Sequence, residues 1–276
     1  MNVGRPDLVL QSLTTARHLA RKTWSAWHLN AVICACVSLG RYREALHYAK
    51  TKRAQPNVLT DQAYMLIDIN AAEAMANLGQ FDEALSSLKP TLELLALVPR
   101  IGLFVAAIGA HQAWVLWCLQ RSDEALTKLD ASEEEIRNLG DYQAEYHSTM
   151  ALVLIGLHRL EDAEQALQRA EKVCVRVSSQ RTLLVTRARL LNARGELENA
   201  ELHYRRAAEH LYEFQNADGR LEWGELLMRL NRAAEARAAW QLALTRDPES
   251  HWASLARTRL AETSGAAPTA EPSLNG

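Results

Sequence analysis

Leu39-Gly40-Arg41-Tyr42-Arg43-Glu44-Ala45-Leu46 returns as Leu78-Gly79-Gln80-Phe81-Asp82-Glu83-Ala84-Leu85 and again as Leu119-Gln120-Arg121-Ser122-Asp123-Glu124-Ala125-Leu126. The same phrase runs through Leu157-His158-Arg159-Leu160-Glu161-Asp162-Ala163, Arg194-Gly195-Glu196-Leu197-Glu198-Asn199-Ala200 and Leu230-Asn231-Arg232-Ala233-Ala234-Glu235-Ala236. Its alanines, at 45, 84, 125, 163, 200 and 236, are spaced by 39, 41, 38, 37 and 36 residues. A period of that size marks one small unit copied and stacked along the chain.

Each phrase reads as a turn between two helices. Gly or Asn suits the positive φ that ends a helix, and the acidic residues suit the first turn of the next. The alanine lets two antiparallel helices approach closely. Upstream lies a helical pattern with a small residue near its middle (Ala72, Ala113, Ala151, Ala188, Gly224). Downstream, apolar residues recur three and four apart, as in Leu167, Ala170 and Val173.

The six copies resemble the tetratricopeptide repeat over about residues 24–248, most closely in the last copy with Trp223-Gly224, Leu227, Ala236, Trp240, Ala243 and Asp247-Pro248. Two departures stand out: the spacing exceeds the family's usual unit, and copies three and four lack the turn glycine. The longer units, joined by phrases such as Asn138-Leu139-Gly140-Asp141, are also similar to repeat arrays of bacterial signalling and transcription regulators. The resemblance implies an all-α, right-handed α-solenoid of about six helix-turn-helix repeats with capping helices at both ends. Residues 1–23 are expected to form the N-terminal cap as half a repeat, either a true cap or the remnant of a unit that lies upstream. Residues 249–263 are expected to form the C-terminal cap, and 264–276 a disordered tail. Pro90 should kink or split the second helix of repeat two.

The 276 residues are 48% apolar and 23% charged, enough to fill a core. The net charge of −2 favours neither nucleic acid nor membrane globally. The charge is unevenly spread, with nine basic and two acidic groups in residues 1–60 against five basic and fourteen acidic in 61–145. Solvated helix faces explain this most simply; nucleic-acid contact through residues 1–60 is a secondary alternative. No apolar run approaches a bilayer span, so no membrane insertion is expected. The four cysteines form no disulfide framework, and the cytoplasm is the expected location.

No phosphate loop, dinucleotide fingerprint, nucleophile elbow or zinc-protease helix is present. Cys34 and Cys36 point about 200° apart on a helix, Cys118 and Cys174 lack partners at ligand spacing, and His203 and His210 are two turns apart. No metal, cofactor or enzyme activity is expected. Function is expected instead in the concave groove, which the first helix of each repeat lines if the resemblance holds. Candidate groove residues are Trp27, Asn30, Asn70, Glu73, His111, Trp114 and Trp117 in repeats one to three. Arg189, Asn192 and Arg229 are the candidates in repeats four to six. Trp114 and Trp117 are read as groove hot spots or as packing against the helix after Pro90, and Asn70 as a peptide-backbone ligand or an inter-helix bond. Trp223 and Trp240 are read as core.

Family members that clamp the C-terminal carboxylate of heat-shock chaperones use two Lys, two Asn and an Arg. The matching positions here are Asn30, Cys34, Asn70, Ala107 and His111, so only Asn70 is kept. The leading expectation is therefore a scaffold or adaptor that binds a peptide, helix or protein surface by another mode. The alternative is a ligand- or peptide-sensing array that controls a transcriptional or enzymatic partner. Self-association through the groove is a further option.

Overall fold

The computed structural model describes residues 26–52, 62–97, 102–136, 142–175, 177–209 and 217–265, together with Asp7 and Gln11, which are helical. All regular structure among them is helical: α1 (Ala26–Ser38), α2 (Tyr42–Lys52), α3 (Gln62–Asn77), α4 (Phe81–Ser87), α5 (Lys89–Leu97), α6 (Gly102–Cys118), α7 (Ser122–Asp130) and the short α8 (Glu133–Ile136). There follow α9 (Tyr142–Gly156), α10 (Leu160–Val173), α11 (Val177–Ala193), α12 (Leu197–Ala208), α13 (Ala217–Arg229), α14 (Ala233–Arg246) and α15 (His251–Gly265). Consecutive helices pack as antiparallel pairs, and each pair rests on the next. This is the solenoid that the repeated phrase implied.

The six turns share one hydrogen-bond scheme. Gly40, Gly79, Gln120, His158, Gly195 and Asn231 all hold φ between 57° and 83°. Each donates its N–H three residues back, and its successor donates five residues back, as in Arg159 N to Leu154 O at 2.9 Å. That pair of bonds is the Schellman ending, which satisfies carbonyls that the helix would leave bare. The N–H of each anchoring alanine then makes the first bond of the next helix, as in Ala163 N to Arg159 O at 3.0 Å. Copies three, four and six thus keep the left-handed residue without the glycine, at Gln120, His158 and Asn231, with the strain greatest on the first two because Asn tolerates that conformation.

All six anchoring alanines are fully buried, as are Ala72, Ala113, Ala151 and Ala188 on the facing helices. Gly224 takes this place in the last repeat, where a Cβ would collide with the indole of Trp240. That indole is buried and donates to Leu221 O at 3.1 Å. Second helices bury one stripe only; in α10 it is Ala163, Ala166, Leu167 and Ala170. First helices bury residues on several sides, because each is clasped by its own partner and by neighbouring repeats.

Pro90 splits the second helix of repeat two into α4 and α5, with Leu88 as the turn between them. Proline sits in the first turn of α5, where its missing N–H costs no helical bond. The C-terminal helix runs from His251 to Gly265, so it starts two residues later than expected and takes in Ser264 and Gly265. Residues 266–276, the rest of the expected opening helix, the Asn138–Asp141 phrase and His210 lie outside the described residues. No described helix is long and apolar enough to cross a membrane.

Candidate functional site

First helices stand side by side along the concave face, so groove residues one repeat apart meet. Asn70 Nδ2 donates to Asn30 Oδ1 at 2.9 Å. The Ser148 and Thr186 hydroxyls lie 3.1 Å apart. Arg229 Nη1 donates to Asn192 Oδ1 at 2.6 Å, and Arg259 Nε to Glu225 Oε1 at 3.2 Å. These rungs join residues 40, 38, 37 and 34 positions apart, the repeat length itself. Asn30 with Asn70, and Asn192 with Arg229, therefore hold neighbouring repeats in register.

The strongest rung is ionic. Arg189 on α11 donates Nε to Glu222 Oε2 at 2.7 Å and Nη2 to Asp218 Oδ2 at 2.6 Å on α13. Tyr204 donates its hydroxyl to the same Glu222 oxygen at 3.0 Å. The guanidinium lies 5.0 Å over the ring of Trp117, a cation–π distance. Burial works against the charge on Arg189, but the two carboxylates outweigh it and hold its pKa above the ordinary value. Desolvation works against the charge of half-buried Asp218, but Arg189 outweighs it and pulls the pKa down, whereas for half-buried Glu222 desolvation prevails and the pKa rises.

The superhelix curves far enough for its last repeat to reach the first two turns. Tyr42 donates its buried hydroxyl to Asp247 Oδ2 at 3.0 Å, and Arg43 N donates to Glu249 Oε2 at 2.9 Å. The ring of Phe81 packs edge-on to His251 at 5.6 Å and lies 6.4 Å from Trp252. Two turn glycines make room: a Cβ on Gly40 would stand 2.8 Å from Asp247 Oδ1, and one on Gly79 would stand 3.0 Å from His251 Nδ1. The concave groove consequently encloses a cavity of about 380 Å³.

One wall of that cavity is apolar, with Leu66, Ile69, Ala107, Ala110 and Trp114. Charge comes from Glu73 on α3, Glu145 on α9, Arg181 and Arg189 on α11, Asp218 on α13, and Asp247 just past α14. Burial, with the Glu145 carboxylate nearby, pushes the Glu73 pKa up to about 7 against the pull of Arg181. Burial likewise takes Asp247 to about 6 and drives His111 down to about 4, so the imidazole is neutral. His111 Nε2 is sealed from solvent with no hydrogen-bond partner among the described residues, and its ring lies 5.5 Å from that of Trp114.

Of the ten residues expected in the groove, Asn70, Glu73, His111, Trp114 and Arg189 line this cavity together. Trp114 also packs on the cluster that includes Leu92 and Leu95 of α5, so it borders cavity and core at once. Trp117 lies beneath Arg189 and packs in the core of repeat three. Trp27 is 52% exposed at the start of α1, away from the cavity. Asn30, Asn192 and Arg229 act as rungs outside its lining. Sequence reasoning missed Glu145, Arg181, Asp218, Asp247 and Trp252. Arg181 and Asp218 share helix faces with Asn192 and Arg229, so a longer helical projection would have included them, and Glu145 lies one turn before the rung residue Ser148. Nothing local marks Asp247 and Trp252, because superhelical closure is what brings them in. Cys34 is exposed and Cys36 buried, with its thiol pushed up to about 12 by burial, so the two cannot share a ligand. No group of metal-ligating side chains occurs among the described residues.

This architecture is that of a tetratricopeptide-repeat array. No protein-family sequence profile matches the chain, and no curated protein sequence matches it. Solved structures do. A tetratricopeptide repeat protein from Parabacteroides merdae superposes with a TM-score of 0.56 at 14% identity, covering 92% of this chain and 91% of that one. A chain of the APC/C hetero-tetramer Cut9-Hcn1 gives 0.58 at 14% identity, covering 94% of this chain and 46% of its own longer length. At such identity the likeness is one of fold.

Proposed function

We propose that the protein is a non-catalytic interaction module that takes an extended segment of a partner protein into its central cavity, as an adaptor or assembly subunit. The carrying observation is the cavity itself, in which apolar, aromatic and ionisable side chains from successive repeats converge. Its volume falls within the range of small specific sites, which suits a few side chains rather than a protein face. Asn70, Glu73, His111, Trp114 and Arg189 are the proposed contacts. Asn30, Trp117, Asn192 and Arg229 support the frame around them, and exposed Trp27 lies outside it.

Capture of a partner from native lysate by wild type, Trp114→Ala and Trp27→Ala proteins of equal helical circular dichroism tests this. Loss of one defined partner with Trp114→Ala alone is the expected result. Equal capture by all three would move the binding surface elsewhere.

A second reading, a sensor whose ligand changes superhelical pitch, draws support from the contact between the two ends. An occupant that alters the fit of Asp247 and His251 against the first turns would open or tighten the array. Scattering profiles recorded with and without bound partner separate a rigid adaptor from such a sensor.

A further inference from the structure

We infer that the group admitted to the cavity is a cation rich in hydrogen-bond donors, the guanidinium or ammonium of a basic residue in the bound segment; this rests on the reading of the cavity as the binding site. Four carboxylates line it, from Glu73, Glu145, Asp218 and Asp247, against two cationic side chains, Arg181 and Arg189. Arg189 is committed to Asp218 and to Glu222 behind it. Among the described residues no lysine lines the cavity, and His111 is neutral there. Buried Arg220, which pulls on Asp247, is a third cation, yet with Glu222 counted the carboxylates still outnumber the cations five to three among the described residues.

The unmet polar groups agree in kind. Asp247 is 1% exposed, and while its Oδ2 accepts from Tyr42, its Oδ1 has no hydrogen-bond partner among the described residues. Glu73, half-buried, feels the nearby charges of Glu145 and Arg181, and neutral His111 carries one acceptor nitrogen. Ionised carboxylates accept and cannot donate, so the lining carboxylates ask for donors, and an ammonium offers three or a guanidinium five. Trp114, Tyr142, Tyr146 and Trp252 add aromatic walls, against which a cation and its aliphatic stem pack favourably. An acidic segment would meet like charge in a poorly solvated space, which costs about a thousandfold in affinity.

The test uses four pools of degenerate heptapeptides whose central residue is Arg, Lys, Glu or Ala, together with agmatine as a free guanidinium amine. Binding is read by tryptophan emission and by native mass spectrometry, on wild type, Glu73→Gln and Glu145→Gln. The expected result is retention of the Arg and Lys pools only, weakened tenfold or more by either substitution. With binding read at pH 8, where Glu73 is ionised, both near-isosteric variants remove charge from the wall, so either alone suffices if the other fails to fold. Agmatine bound as tightly as the Arg pool would keep the cationic inference and assign it to a free amine, overturning the peptide reading. Glu or Ala pools bound as well as Arg, with no effect of either substitution, would overturn the inference and leave a peptide site. No binding of any probe would overturn both.

Discussion

Single residues decide how closely the repeats approach and what the groove can hold. Arg189 illustrates the second. Arg189 is buried and its two carboxylate partners are half-buried, so Arg189→Ala would strand them and should destabilise the protein by about 2–3 kcal/mol in urea unfolding. A loss below about 1 kcal/mol would mean that the triad is solvated and that the frame does not depend on it. Sequence periodicity placed Arg189 and Glu222 on the groove face but not the bond between them, since an inter-repeat salt bridge depends on the rotation between units. Trp117 shows the same limit: its face was legible, whereas the guanidinium covering it was not.

Glu73 gives the pH dependence a sign. Its folded pKa is raised from 4.5 to about 7, so across that interval the folded protein keeps a proton that the unfolded chain has lost. Stability contributed by this group is full below about pH 4.5 and is lost as pH rises to 7. Asp247 acts in the same direction from 3.8 to about 6. His111 acts oppositely, because its depressed pKa of about 4 adds stability as pH rises from there to 6.5. The wild type should therefore show a shallow profile in the acid range. Glu73→Gln, lacking the falling component, should gain stability relative to wild type between pH 5 and pH 8, measured as denaturant midpoints. A pH-independent difference would contradict this role of Glu73.

At the scale of the element, the turn is the recurring device of the fold, and its position was legible from six copies of one phrase. The alanine anchors were legible too, because close approach of two helices demands a small side chain at a fixed register. What the turn glycines touch was not legible. Gly195 has open space around it, so Gly195→Ala should cost only the left-handed penalty, about 1–2 kcal/mol. Gly40 holds a similar φ, but its added Cβ would also press on Asp247 Oδ1 at 2.8 Å. Gly40→Ala should therefore destabilise more than Gly195→Ala, and Asp247→Ala should remove the excess in a double-mutant cycle. Equal costs would mean that the two ends do not touch. Conversely, His158→Gly should stabilise by a few tenths to about 1 kcal/mol, since relief of strain at φ 57° is partly offset by the entropy of glycine.

At the scale of the whole molecule, curvature makes the cavity. A one-dimensional reading of repeats captures nearest-neighbour packing well, because each unit touches only the next. It does not capture the sum of the five small rotations between six units, and that sum brings Asp247, Glu249, His251 and Trp252 against Tyr42, Arg43 and Phe81. Part of the cavity wall was recognisable because it lies on the first helices. The rest arrives only with closure, including the carboxylate of Asp247. The closing Asp-Pro of the last copy reads locally as a repeat ending; in three dimensions it is also the seam between the two ends.

The most direct test of that closure is a distance. Spin labels at Arg43→Cys and Glu249→Cys, in a background where exposed Cys34 is replaced by Ser, report on the seam by double electron–electron resonance. A closed array predicts one short, narrow distance in the monomer, broadened and lengthened when Tyr42→Phe is combined with Asp247→Ala. A broad, long distribution in the protein with Tyr42 and Asp247 intact would contradict it, leaving an open groove in place of the cavity.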